Sequence, residues 1–234
     1  MRGRRMSEAV PPPLRIVFAD NHLLVVDKPA CMPTQADTSH DLDLLTQART
    51  WIEKTCAKPG RAYLGLVHRL DRPAQGVVVL ARTSKAAARL HEQFRGRQVR
   101  KTYRIVVHGD PGADLGTLQH QVESDDKGSR IVTGPRGKPA RLDWRVLERQ
   151  RGASHVEVDL HTGRKHQIRV QFSAIGCPVV GDLRYGAPAP LPDRSIALVA
   201  WRLELDHPTT KERLVFEAGL PAGWPWRPGT AHLP

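Results

Sequence analysis

Apolar positions along this chain fall mostly into short runs of four to eight residues broken by polar turns, and only three stretches carry helical spacing. Residues 14–19 (LRIVFA) and 23–27 (LLVVD) predict a hairpin turned at Asp20-Asn21-His22 and ended by Lys28-Pro29. A polar loop follows as far as Asp43. From Leu44 to Cys56, Leu45, Ala48, Trp51, Ile52 and Cys56 recur on one helical face, and Pro59-Gly60 stops the helix. Tyr63 to Val67 and Gly76 to Ala81 are of buried-strand length. Thr83 or Ser84 then caps a helix to about Arg95, with Ala87, Leu90 and Phe94 inward and His91, Arg95, Arg97 and Arg100 left to solvent. Lys101 to His108 alternates as a strand does. Residues 109–139 are glycine-rich with little periodicity, so a long excursion is expected there, with one short strand near Arg130 to Thr133. Arg141 to Glu148 and His155 to Leu160 predict an antiparallel pair turned at Gly152. Gln167 to Ile175 predicts a helix stopped by Gly176, and strands return at Ile196 to Leu205 and Arg213 to Ala218 around His207-Pro208-Thr209. No internal repeat or interdomain linker is visible. The fold class is α/β in the α+β sense, rich in antiparallel pairs and without a regular βαβ succession.

Between two of the buried runs stands His68-Arg69-Leu70-Asp71-Arg72, a single carboxylate flanked by arginines in a loop. Such a carboxylate either braces the turn by pairing or stays ionised at a cleft and attacks a substrate. Charge bears on that choice. Lys and Arg exceed Asp and Glu by 36 to 24, a net charge of +12 over 234 residues, which favours a polyanionic partner. Arginine dominates the surplus, and its planar fork suits phosphate and stacks on bases. The opening MRGRRMSEAVPPP has no apolar segment of a secretory signal, so residues 1–13 are expected to be a disordered basic, Pro-rich tail. No apolar run is long enough to span a membrane. Cys31, Cys56 and Cys177 are odd in number and far apart, which predicts a cytoplasmic protein with no disulfide framework and no zinc site.

Several familiar chemistries are missing. Gly137-Lys138 is followed by proline rather than Ser or Thr, so no Walker-type phosphate loop is present, and there is no Gly-x-Ser-x-Gly elbow. His68, His91, His161 and His166 lack the spacing that sets two metal ligands on one helix face. What remains is Asp71, Tyr103, and the cluster Arg164-Lys165-His166-Gln167-Ile168-Arg169. A carboxylate kept ionised in a partly dry cleft needs a cation beside it. Arg164 and Arg169, five apart around a helix start, cannot share one face; one can meet the carboxylate while the other meets phosphate. A solvated helix start and a core tyrosine would explain the same residues separately.

At these positions the sequence resembles the RluA-type RNA pseudouridine synthases. "HRLDRPAQG" is similar to the family's His-Arg-Leu-Asp motif, "KTYRIVVHG" to its tyrosine strand, and "LHTGRKHQIRVQFSAIGCPVVGDLRYG" to its longest signature. "VVDKPA" and "LDHPTTKERLVFEAGLP" match in kind and order, so the resemblance covers roughly residues 15–222. It implies a pseudouridine synthase fold, a mixed, mainly antiparallel sheet in two lobes with helices packed around it and a central active-site cleft, spanning residues 14–234. It implies site-specific isomerisation of uridine to pseudouridine in ribosomal or transfer RNA, with the target base flipped out of its stack. No cofactor and no metal are implied, and a monomer is expected. Carried over residue by residue, Asp71 is the catalytic aspartate, Tyr103 packs on the base and takes the C5 proton, and Arg169 pairs with Asp71 in preference to Arg164. Arg69 fills the space the flipped uridine leaves, and His68, Arg72, Arg164, His166 and Gln167 are expected on the RNA side.

One departure stands beside the aspartate. The family usually carries Thr and Ser hydroxyls in the segment where this chain has Pro73-Ala74-Gln75-Gly76, so the hydrogen bonds that steady the loop must come from elsewhere. About 13 residues precede the first strand, so the S4 RNA-binding domain frequent in the family is not expected. Two rival readings follow: a non-catalytic RNA-binding protein that keeps the fold, and a nucleoside or glycoside hydrolase. The hydrolase requires a second acid opposite Asp71.

Overall fold

The computed structural model describes residues 14–56, 62–227 and 230–231; the expected tail at 1–13 and the helix stop at Pro59-Gly60 lie outside them. The chain begins with β1 (Arg15–Ala19) and β2 (Leu23–Lys28), then α1 (Leu44–Cys56), β3 (Gly65–Leu66), β4 (Gln75–Ala81) and α2 (Ser84–Arg95). Next come β5 (Arg100–His108), β6 (Leu115–Ser124), β7 (Ser129–Val132), β8 (Lys138–Gln150), β9 (Ala153–Leu160) and α3 (Gln167–Ala174). A 3₁₀ turn at Leu183–Tyr185, β10 (Leu198–Asp206), β11 (Arg213–Glu217) and the small pair β12 (Trp226–Arg227) and β13 (Thr230–Ala231) complete it. None of the described helices is long and apolar enough to cross a membrane.

Among the described residues, eleven strands form one sheet in the order β1-β2-β4-β10-β5-β9-β8-β6-β7, with β11 on β10 and β3 on β4. Every pairing is antiparallel except β4 with β10. That parallel contact joins the N-terminal strands to the β5–β9 half. It also forces a glycine: Gly76 has φ +119°, and a Cβ there would lie 2.3 Å from the Ala200 carbonyl oxygen. The strand that leaves the Asp71 loop is thereby pressed against β10 backbone to backbone.

Leu23 to Val26 and Val77 to Ala81 are almost wholly buried, which is why these strands read as continuous apolar runs instead of alternating ones. Thr83 caps α2, its hydroxyl accepting from the Ala86 N–H at 3.1 Å. Helix α3 is buried from Gln167 through Phe172, so it lacks a solvent face and its periodicity is weak.

The largest correction concerns residues 109–139. The expected excursion is sheet: β6 is ten residues long and pairs with β8 from Leu115 to Val122, and the short strand near Arg130 is β7, its hairpin partner. In LGTLQHQVES the inward positions are Gly116, Leu118, His120 and Val122 while Leu115 stays exposed on the other face, so the apolar stripe is broken by glycine and histidine and too weak to announce the strand. The strand expected at Tyr63 to Val67 shortens to two residues because Tyr63 is exposed and the chain turns toward His68.

Candidate active site

Asp71 sits in the loop between β3 and β4, and that loop is tied down on three sides. The Thr34 hydroxyl donates to the Leu70 carbonyl (2.8 Å) and accepts from the Leu70 N–H (3.3 Å). Lys28 is wholly buried, and its Nζ donates to the carbonyls of Pro29 (2.9 Å), Met32 (2.8 Å) and Arg72 (3.3 Å). The Ala74 N–H closes a turn on the Asp71 carbonyl (3.1 Å), and the Ile196 N–H reaches the Pro73 carbonyl (3.3 Å). These bonds steady the loop where Pro73-Ala74-Gln75 offers no hydroxyl.

From the other half of the sheet, α3 carries Arg169 to the carboxylate. Its NH1 donates to Asp71 Oδ2 at 3.0 Å, while Nε and NH2 donate to Asp182 Oδ2 and Oδ1 at 2.6 and 2.8 Å. The guanidinium also lies over the Tyr185 ring, 4.9 Å from its centroid. Burial disfavours the charged guanidinium, but the hydrogen bonds and charge of Asp182, then of Asp71, outweigh it and push the Arg169 pKa upward. The cation is therefore permanent. Asp71 Oδ1 receives no hydrogen bond among the described residues; His166 Nε2, at 3.9 Å, is beyond bonding range.

His166 stands at the start of α3 with φ +53°, a left-handed conformation that costs a non-glycine residue energy and recurs at functional sites. Its Nδ1 lies 2.8 Å from the Tyr185 hydroxyl, which accepts from the Ser129 N–H at 2.9 Å. Burial lowers its pKa to about 4, Asp71 opposing and Arg169 reinforcing the shift, so the imidazole is neutral at pH 7. Tyr103, on β5, is buried; burial and then the nearby Asp71 charge raise its pKa, so it faces the site as a neutral phenol.

These groups line a cavity of about 480 Å³, the size of a small-ligand site. Among the described residues lining it, Asp71 is the sole carboxylate, against Arg69, Arg95, Lys101, Arg164, Lys165 and Arg169. A hydrolase that needs a second acid opposite the first finds none in this wall.

The structure thus brings Asp71, Tyr103, His166 and Arg169 together, with exposed Arg69 at the rim. Arg164 lines the cavity, yet its Nε donates to the Pro139 carbonyl at 3.0 Å and it does not reach Asp71. Three residues expected on the RNA side are turned toward protein. His68 Nε2 accepts from the Val79 N–H (2.9 Å) and its ring stacks on Phe94; burial takes its pKa down to about 3. Gln167 is buried, its Oε1 accepting from the Thr162 hydroxyl and the Arg164 N–H and its Nε2 donating to the Arg141 carbonyl. Arg72 lies outside the cavity wall and pairs with Asp37 and Asp41. Sequence reasoning passed over Asp182 and Tyr185, although both stand in the "VVGDLRYG" end of the longest signature.

The arrangement has a definite chemical capacity. A planar ring admitted to the cavity meets the Tyr103 phenol, an electrophilic carbon beside it meets the free oxygen of Asp71, and anionic groups trailing outward meet the rim cations.

The chain is also similar to known proteins. The sequence profile described as RNA pseudouridylate synthase matches residues 22–174. Two relatives named ribosomal large subunit pseudouridine synthase D are 35% identical over 227 residues in Nitrosomonas europaea and 36% identical over 230 in Pseudomonas aeruginosa. The alignments cover 92% and 91% of this chain, and 64% and 70% of the relatives, so the chain spans a little under two thirds of the first relative's length. Among solved structures, human RNA pseudouridylate synthase domain containing 4 superposes with a TM-score of 0.76 at 26% identity, covering 90% of each chain. Human RNA pseudouridylate synthase domain containing 1 gives 0.74 at 28%, covering 92% of this chain and 87% of that one.

Proposed function

The chain belongs to the RNA pseudouridylate synthase family, and from that premise we propose that it isomerises uridine to pseudouridine in structured RNA, with Asp71 as the reacting group. The observation that carries the proposal is the state of Asp71: one oxygen is held by a buried, doubly anchored arginine, and among the described residues the other is free, on a cavity wall where no second acid stands.

The rim cations bind RNA phosphates and make affinity salt-dependent. The target uridine is flipped into the cavity because its C1′ and C5 are unreachable in a stack, and Arg69 takes the space it leaves. Asp71 Oδ1 then initiates cleavage of the N1–C1′ bond; the base turns, C5 bonds to C1′, and the C5 proton departs through Tyr103. The N1–C1′ and C5–H bonds are broken and the C5–C1′ and N1–H bonds are formed within the same nucleotide, so electrons and protons balance without an oxidant, reductant or external group. Attack at C1′, addition to the ring and a glycal route all use the same carboxylate. Tyr103 enters the site as a neutral phenol, held so by burial first and by the Asp71 charge second, so it takes the C5 proton only as its own hydroxyl proton moves on toward N1, which gains a proton in the product.

The names of the relatives make large-subunit ribosomal RNA the first substrate to try and transfer RNA the second. Residues 14–234 would act as one cytoplasmic catalytic unit, as a monomer, with residues 1–13 as a basic tail. The test is tritium release from RNA labelled at uridine C5, comparing the protein with Asp71→Asn on ribosomal and transfer RNA pools. Release by the parent alone supports the reaction and the role of Asp71. RNA bound by both proteins with no release from either pool would favour the binding-only reading.

A further inference from the structure

Lys101 lies two residues before Tyr103 on β5, so both side chains emerge on the same face of the sheet and both line the cavity. It is half-buried, and among the described residues its ammonium meets no carboxylate and no hydrogen-bond acceptor. Other lysines near the site are committed: Lys28 binds three carbonyls, and Lys165 donates to the Asp125 carbonyl at 2.6 Å and the Asp126 carbonyl at 3.4 Å. Burial, reinforced by repulsion from the nearby cation Arg97, brings the Lys101 pKa down to about 8. A half-desolvated cation without a counter-charge is costly unless something anionic completes it.

Gly163 shows where that partner would enter. A Cβ on Gly163 would stand 3.6 Å from Lys101 Nζ, so any longer side chain there would cover the ammonium. Gly163 does not have the positive φ that would demand glycine, and what its missing side chain provides is clear space over the ammonium. Arg164 follows it directly along the same wall.

We propose that Lys101, over the opening left by Gly163, holds a phosphodiester of the RNA chain next to the flipped nucleotide, as an anion position paired with the Asp71 end of the cavity. The identity of the anion rests on the synthase reading. A phosphate is the anion that a nucleotide in this cavity brings with it, and an ammonium serves it as a point charge. Lys101 is thus a substrate-binding residue that fixes how far the nucleotide enters before Asp71 acts.

The test uses the full chain and an unmodified transcript of large-subunit ribosomal RNA. Filter-binding affinity is measured from about 50 to 200 mM salt for the parent, Lys101→Met, Lys101→Gln and Lys101→Arg, with tritium release followed on the same transcript. Both neutral variants should bind about tenfold more weakly at the lower salt, the loss of one charged hydrogen bond. Their log-affinity against log-salt slope should be shallower by about 0.7 to 0.9, the change expected when one phosphate is no longer neutralised, and Lys101→Arg should keep the parent slope. Weaker binding at an unchanged slope would place Lys101 on a neutral base atom and overturn the proposal; so would unchanged binding. Tritium release by the parent with no slope change would remove the Lys101 site while leaving the synthase reading intact. A slope change without release from the parent would do the reverse.

Discussion

Asp182 offers the sharpest test of how the site is held, because it lies outside the cavity wall and yet accepts two of the three hydrogen bonds that the Arg169 guanidinium donates among the described residues. Consider Asp182→Asn. The side chains of the pair are 5% and 2% exposed, so removing one charge leaves the guanidinium buried with Asp71 as its one remaining anion among the described residues. Breaking a buried pair from one side costs about 3–5 kcal/mol, and asparagine, which keeps the shape and one acceptor, belongs at the lower end. For a domain of this size, about 3 kcal/mol lowers Tm by roughly 6–12 °C. Activity should fall further than stability implies. Arg169 would be free to swing toward Asp71 or the cavity, and a displacement of about 1 Å at a reacting group costs on the order of a hundredfold in rate. KM should change little, since Asp182 does not face the substrate. Scanning calorimetry and tritium-release kinetics below the transition read the two effects separately. A variant that melts within about 2 °C of the parent and turns over at the parent kcat would refute the idea that Asp182 positions Asp71 through Arg169.

Three further outcomes follow from the geometry. Tyr103→Phe should fold normally, because no bond to the Tyr103 hydroxyl is seen among the described residues, and tritium release should drop about 10²–10⁴-fold; retention within about threefold would assign the C5 proton to another group. His68 should make stability fall with acid. Its folded pKa of about 3 lies below the unfolded value near 6.5, so the unfolded chain binds the proton first as pH drops, and about 2 kcal/mol is lost between pH 7 and pH 5. The loss should continue to about pH 3 and shrink in His68→Gln, which denaturant titrations at both pH values would reveal; equal pH dependence in parent and variant would exclude His68 as the source. Arg72→Ala removes only exposed pairs with Asp37 and Asp41, so stability should change by less than about 1 kcal/mol and RNA affinity should hold; a tenfold loss of affinity would return Arg72 to the RNA interface.

Local pattern made parts of this molecule legible and left others hidden for identifiable reasons. Strands β2 and β4, helix α2 with its Thr83 cap, and the Gly176 stop of α3 are written in short-range periodicity and capping residues. Strand β6 is not, because LGTLQHQVES is held by its ladder to β8 and carries polar side chains on both faces. At the site, the need of a partly dry carboxylate for a cation pointed to Arg164 or Arg169, and spacing alone could not choose between them. The chain reversal that aims Arg169 at Asp71 depends on the left-handed His166 and the Gln167 bonds, which are properties of packing. Asp182 was hidden because its importance comes from pairing thirteen residues away with a side chain that already had a partner. His68 and Gln167 carry polar types that suit RNA, but burial turned their hydrogen-bonding atoms to backbone and side-chain partners within the protein.

The most direct measurement is nucleoside chromatography of an unmodified large-subunit ribosomal RNA transcript, digested after incubation with the protein or with Asp71→Asn. Pseudouridine should appear at the expense of uridine with the parent and not with the variant, while both retain RNA affinity. No pseudouridine from a parent that binds the transcript and a transfer RNA pool treated in the same way, or equal yields from parent and Asp71→Asn, would contradict the central claim that the free oxygen of Asp71 carries the isomerisation.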